Sequence, residues 1–261
     1  MRAILPVLFG AVALFGADTA DLSQAQIDDV IQKFAAKEAA FAKARENYTY
    51  KQTVRFAVLD SGGRPAEKWD ETSEIVFTNE GKRTEHVTFS PVNTLKRITL
   101  EPEDLEDIRN VQPFVLTSAE LPKYLIRYLG KDTLDEISCY AFAVKPKKLE
   151  PGQRYFQGIV WVDDRDLQIV KSYGRGTGIK RNKTSQYAKF ETYRQQIDGV
   201  YWFPTYTISE STLHFPDDDV PIRQTIKYED YKQFRSDVKI TFGDEVQQKE
   251  DKKPPEPPKR P

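Results

Sequence analysis

The chain has 261 residues, with 39 Lys and Arg against 40 Asp and Glu, a net charge of −1, and 39% hydrophobic residues. This balance excludes a general polyanion binder, which needs a basic field along phosphates, so no nucleic-acid partner is expected. Against 15 Phe, 13 Tyr and 3 Trp stand one Cys, one Met and two His, which excludes an intramolecular disulfide, a thiolate zinc cluster and a CxxC redox pair. With so few metal-ligating and nucleophilic types, the reading is a binding protein, not an enzyme, with no metal and no cofactor.

Residues 1–17, MRAILPVLFGAVALFGA, place Arg2 before an uncharged apolar run from Ala3 to Phe15. A run that short after a basic residue reads as a secretory signal peptide occupying residues 1–20, with a retained N-terminal anchor as the alternative. Ala17 and Ala20 are both candidate cleavage residues, and no cysteine follows them for lipid attachment. The single Cys139 lies far downstream in a strand-like run, where a buried, solitary thiol suits an oxidising compartment.

From Asp21 to Asn47, and on to Tyr48, the apolar residues Ile27, Ile31, Phe34, Phe41 and Tyr48 recur at helical spacing. Lys33, Lys37, Glu38, Lys43 and Glu46 fall on the other faces, and Ser23 with Gln26 has the spacing of a capping box. At Tyr48 the period changes to two, predicting a strand through Val58. Ser61-Gly62-Gly63 turns the chain into a second strand, Trp69–Thr78, and Asn79-Glu80-Gly81 leads into a third, Lys82–Phe89.

Mid-chain, Glu101-Pro102-Glu103-Asp104-Leu105 reads as a helix start, and Ser118–Tyr128 as another short helix. Strands then follow at Ser138–Pro146, Tyr155–Val162, Leu167–Tyr173, Gln186–Gln195, Val200–Ser209 and Ile222–Phe234. Residues 247–261, QQKEDKKPPEPPKRP, hold five basic and three acidic residues and no aliphatic or aromatic side chain beyond proline, which predicts a disordered tail. Residues 21–246 form one domain.

The fold class is therefore α+β: a strongly curved antiparallel sheet of about nine to eleven strands, covered by one long N-terminal helix and short mid-chain helices. An open half-barrel and a closed lipocalin-like barrel are the two geometries in play.

Gly174-Arg175-Gly176-Thr177-Gly178 has the glycines of a phosphate loop, but no helix follows, so a hairpin loop is the better reading. Asp217-Asp218-Asp219 beside His214 lacks EF-hand spacing and reads as an acidic turn. There is no Gly-x-Ser-x-Gly elbow, no marked partner for either histidine, and no carboxylate pair in a recognisable setting. Asn47-Tyr48-Thr49 and Asn182-Lys183-Thr184 match a sequon that chains meet by chance.

What remains is apolar. Tyr50, Val54, Phe56, Trp69, Ile75, Phe77, Val87, Phe89, Val144, Trp161, Tyr201 and Phe203, with Phe34 and Phe41 from the helix, form the candidate lining of a hydrophobic cavity, although alternation alone leaves open which strand face points inward. They form either a solid core or, if the sheet is too curled for its side chains to fill, a ligand site.

Several motifs point to a family. Tyr50-Lys51-Gln52-Thr53-Val54 with the Gly62-Gly63 turn, Ile159-Val160-Trp161-Val162-Asp163 followed by Leu167-Gln168-Ile169-Val170-Lys171, Cys139–Lys147, Val200-Tyr201-Trp202-Phe203-Pro204 and Tyr228-Glu229-Asp230-Tyr231 together resemble LolA/LolB-type outer-membrane lipoprotein-sorting proteins. The resemblance covers most of residues 22–242; the second strand lacks their Lys-Arg-Pro end, and their lid-latching arginine has no placed counterpart, Arg55 being only a neighbour of the right strand.

The resemblance implies a monomeric periplasmic carrier that holds lipoprotein or lipid acyl chains between a half-barrel and its helices, receiving them from an inner-membrane exporter and passing them to an outer-membrane receptor. The alternative is an envelope sensor or scaffold that uses the same fold to bind a protein partner. A third reading, an enzyme on envelope sugars, requires two carboxylates facing each other across a cleft.

Overall fold

The computed structural model describes residues 22–179 and 186–233. The expected signal peptide, the C-terminal tail and the Asn182 sequon lie outside the described residues. Among the described residues no helix is long and apolar enough to cross a membrane.

Helix α1 spans Gln24–Ala44. It starts where the spacing predicts: the Ser23 Oγ accepts from the Gln26 N–H, and the Gln26 side chain accepts from the Ser23 N–H at 2.9 Å. These reciprocal bonds satisfy orphan donors of the first turn. Its buried residues are Phe34, Ala35, Glu38 and Phe41. Glu38, assigned by the sequence to a solvent face, is thus the exception in an otherwise apolar stripe.

Ten strands follow: β1 (Tyr48–Leu59), β2 (Pro65–Phe77), β3 (Arg83–Phe89), β4 (Tyr124–Leu134), β5 (Ile137–Pro146), β6 (Tyr155–Asp163), β7 (Ile169–Thr177), β8 (Lys189–Gln196), β9 (Trp202–His214) and β10 (Asp219–Gln233). They form one curved antiparallel sheet in the order β3-β2-β1-β10-β9-β8-β7-β6-β5-β4. The sheet is open, with β3 and β4 at opposite edges, which decides between the two expected geometries. Two meanders, β1–β3 and β4–β10, are sewn together where β1 pairs with β10, Val54 opposite Ile226 and Phe56 opposite Gln224.

This order dictates the covering layer. The chain leaves the sheet at one edge, after Phe89, and re-enters at the other, at Tyr124, so residues 90–123 must cross an entire face. The crossover contains the short helix α2 (Pro102–Glu106), one π-helical turn over Asp107–Val111 and a 3-10 turn at Leu121–Lys123. Together with α1 it covers the concave face, as an antiparallel sheet with one apolar face requires.

Two local readings change. The segment after Ser118 holds only one 3-10 turn before β4, which pairs with β5 from Tyr124↔Pro146 to Leu134↔Ile137. As an edge strand, β4 exposes Leu125 and Leu129, which weakens its alternation and made a helix plausible. The glycine run is not a loop either: Gly174 and Gly176 sit within β7. A Cβ at Gly176 would overlap the Asp107 carboxylate, so glycine here lets the crossover seat against the sheet.

The core beneath α1 is solid. Phe34, Phe142, Val144, Phe156, Val160, Val162 and Ile169 pack with Val111, Phe114 and Leu116 of the crossover. Phe34 lies 5.3 Å from Phe142, and Phe114 stacks on Phe156 at 4.4 Å. A second aromatic knot holds the other end of α1, with Phe41 edge-on to Phe203 at 5.2 Å.

Candidate functional site

Where α1 does not reach, the concave face is not filled. A cavity of about 270 Å³ lies between the sheet and the first half of the crossover. Its floor comes from alternate residues of four adjacent strands, including Phe56 of β1, Ile222 and Gln224 of β10, Ser209 and Leu213 of β9 and Phe190 of β8. Its roof is the crossover itself, through Ile98, Leu100, Ile108 and Gln112. The volume is near the lower end of ligand pockets, which run from about 300 Å³ upward.

Three polar ties hold the roof down. At its start, Arg97 donates to the Asp218 carboxylate from Nε at 3.0 Å and from Nη2 to both oxygens at 2.8 Å, and the Lys96 and Arg97 N–H groups donate to Glu67 at 2.6 and 3.0 Å. The acidic turn beside His214 is therefore an anchor for the crossover, and His214 itself faces Asp219 at 2.8 Å. In the middle, the Asp107 carboxylate accepts from Arg154 Nε at 2.8 Å and from Nη2 at 2.5 Å. The Arg154 guanidinium in turn stacks over the Tyr187 ring at 4.0 Å.

At its far end the crossover is held by Arg194 of β8. This guanidinium, 2% exposed, meets the wholly buried Glu38 carboxylate at 3.1 Å and donates to the Phe114 carbonyl. Glu38 also accepts from the Ile169 N–H of β7 at 3.0 Å. One charged pair thus ties the helix, the sheet and the crossover. The sequence did not single out either residue, yet Glu38 sits four residues after Phe34 and three before Phe41, within the apolar stripe. A carboxylate at such a position, and an arginine alternating with Phe190 and Thr192, were the signals.

Burial governs the electrostatics of these ties. It pushes the Asp107 carboxyl up to about 6, against the opposing pull of Arg154. Burial likewise raises Glu38 despite Arg194, and raises Asp104. Between the charged ties runs a neutral one: the Gln112 and Gln224 amides bond reciprocally at 3.1 and 3.3 Å. Thr192 donates to the Gln112 carbonyl at 2.8 Å and meets Thr207 at 2.8 Å, which lies 3.2 Å from the Tyr228 hydroxyl.

The residues singled out in sequence are distributed as follows. Phe56 lines the cavity, while Phe41, Tyr50, Phe77 and Phe203 line a smaller pocket on the other side of the crossover. Phe34 and Val144 belong to the solid core under α1, Val54 and Trp69 pack in a separate cluster with Ile226 of β10 and Ile108 and Leu105 of the crossover, and Ile75 of β2 is fully buried. Tyr201 lies 6.1 Å from Phe41. Val87 and Phe89, on the edge strand β3, are 47% and 59% exposed. Trp161 alternates with the buried Val160 and Val162, so it points to the convex side, where it donates to Asp132 at 2.8 Å. Ile98, Leu100, Phe190, Leu213 and Ile222 were not among the candidates. Those on β8, β9 and β10 follow strict alternation, but only the crossover's path says that their face is under a roof.

The carboxylates on the cavity wall, Glu101, Glu103, Asp104 and Asp107, all come from the crossover. Among the described residues none faces them from the sheet, so the opposed pair that glycoside hydrolysis needs is missing. Nor do the described residues bring three or more His, Cys, Asp or Glu together to hold a metal ion.

No family model and no curated protein matches the sequence. Among solved structures the chain is similar to a DUF1329 family protein from Desulfovibrio piger, at 14% identity and a TM-score of 0.39 over 80% of this chain and 93% of the other. It is similar to a LolA superfamily protein from Nitrosomonas europaea, at 12% identity and a TM-score of 0.37 over 77% and 94%. It is also similar to a "putative outer membrane lipoprotein-sorting protein domain" from Vibrio parahaemolyticus, at 10% identity and a TM-score of 0.36 over 78% and 94%. Solved structures similar to this chain thus include a LolA superfamily protein, at identities of 10–14% across the three.

Proposed function

We propose that the protein is a periplasmic carrier that takes an acyl chain of a lipoprotein or lipid into the cavity beneath the crossover. The observation that supports this reading most is a floor spread over four strands, with Phe56, Phe190, Leu213 and Ile222 beside Ser209 and Gln224, under a roof held by discrete polar ties. Each methylene moved out of water contributes about 0.8 kcal/mol, so roughly ten of them supply on the order of 8 kcal/mol. Opening the roof takes part of that back, which keeps binding reversible, as a carrier needs. Pocket residues such as Phe56, Phe190 and Ile222 would touch the chain.

The test is a titration of the full chain with a fluorescent long-chain fatty acid, in the native protein and in Ile222→Trp, which fills the cavity from the floor. The expected result is saturable binding that weakens at least about tenfold in the variant, with its thermal unfolding temperature kept. Equal binding by both, or no binding by either, overturns the reading. A sensor or scaffold is the second reading, supported by the open edges β3 and β4 with exposed Phe89 and Leu125. It predicts partner capture that Ile222→Trp leaves unchanged.

A further inference from the structure

On the other side of the crossover from the cavity, where Ile108 and Gln112 give way to Arg109 and Pro113, lies a smaller pocket of about 20 Å³. Roughly 10–15 Å³ of such space holds one water-sized atom, so it admits the tip of a compact polar group. We propose that this pocket is a phosphate-binding site, built by Arg45, Arg83 and Arg109 from three separate elements.

The three guanidiniums converge from the end of α1, from β3 and from the π-helical turn of the crossover. Their counter-charge is incomplete. Glu85 serves both Arg83 and Arg109, the latter at 3.1 Å. Arg45 makes no ion pair among the described residues, and its Nε is buried without a hydrogen-bond partner. The acid that acts on it, Glu38, is already committed to Arg194. The Arg83 Nε is likewise buried and unpartnered, although its other nitrogens reach Glu85 and, at 2.5 Å, the Gln52 side chain.

Three guanidiniums less the Glu85 carboxylate leave two positive charges. A second acid acting on Arg83 and Arg109, Glu71, is raised by burial and by Glu85, and its ionisation would leave one. A phosphate monoester carries about −1.5 to −2 near neutral pH and offers several acceptor oxygens. Guanidinium forks match those oxygens in geometry as well as in charge. Phe77, Tyr50 and Tyr228 wall the pocket, and their rings reduce the screening that water would impose. Uncompensated buried cations are costly, and an incoming phosphate removes that cost. The proposal stands whether or not the larger cavity takes an acyl chain.

The phosphate can be free or the headgroup of a lipid, and the experiment separates the two. Arginine Nε–H signals of the full chain are followed by nuclear magnetic resonance at fixed ionic strength, with inorganic phosphate in one arm and dihexanoyl phosphatidic acid in the other. The expected result is a saturable shift of the Arg45 and Arg83 signals, and binding at least about tenfold weaker in Arg45→Gln, the loss of one charge-assisted hydrogen bond. Equal affinity in the two arms assigns free phosphate; phosphatidic acid tighter by more than about tenfold assigns a headgroup. No saturable shift up to roughly 10 mM of either ligand overturns the site. So does undiminished affinity in a folded Arg45→Gln protein. The wild-type titration decides the matter even if that variant does not fold.

Discussion

The Glu38 carboxylate and the Arg194 guanidinium face one another at 3.1 Å with 0% and 2% of their side chains exposed, one on the covering helix and the other on the eighth strand. Because the same guanidinium donates to the Phe114 carbonyl, the pair also holds the crossover. Removing one partner leaves the other buried and uncompensated. Arg194→Met should therefore cost about 3–5 kcal/mol in urea unfolding, and the Glu38→Leu/Arg194→Met double variant should regain most of it. A single variant that costs under about 1 kcal/mol, in the range of an exposed pair, means that the tie is not structural.

Gly176 is one contact point between sheet and crossover. Gly176→Ala places a methyl group on the Asp107 carboxylate and should lift the roof, costing about 1–3 kcal/mol. Hydrogen exchange should quicken over residues 101–112 and stay slow in β1, β9 and β10. Unchanged protection of the crossover would mean that the seat is not at this glycine.

The Asp107 carboxyl is pushed up to about 6 in the fold, against an ordinary 3.8. Its folded value is the higher one, so the folded chain holds the proton more tightly than the unfolded chain does. The resulting stability is fully present below about pH 4 and is lost as pH rises through about 6. Across that window Asp107 should remove about 1–3 kcal/mol, and Asp107→Asn should lack that part of the slope. Glu38 and Asp104, raised in the same direction, act alike, so the difference between the two profiles is the readout. Coincident profiles would withdraw the assignment.

Cys139 is fully buried on β5, and burial, with Asp163, Asp164 and Asp132 near it, pushes its thiol up to about 12. At pH 8 the native chain should resist iodoacetamide and react only at the rate at which it opens. Prompt alkylation of the folded protein would contradict this placement.

Much of the fold was legible because its signals are local. The Ser23–Gln26 box, the period-two runs and the glycine turns each involve residues a few positions apart, and strand positions followed from them. The strand β4 escaped because an edge strand exposes half its apolar side chains. The cavity lining was only partly legible for a different reason. Alternation says which residues share a face of one strand, as with Ile222, Gln224 and Ile226, but not whether a roof, a helix or solvent lies above them.

The sequence by itself determined that this is an aromatic-rich chain of strands behind one amphipathic helix, with little material for catalysis. Only the tertiary structure decided the rest. Placing β3 and β4 at opposite edges forces residues 90–123 across the concave face, and that path makes a roof where α1 does not reach. The same path brings Asp107 and Arg109 to Arg154 and Glu85, 47 and 24 residues away, and the packing of α1 on the sheet brings Glu38 to Arg194, 156 residues away. Strand order, a property of the whole chain, sets these meetings, so no local pattern records them.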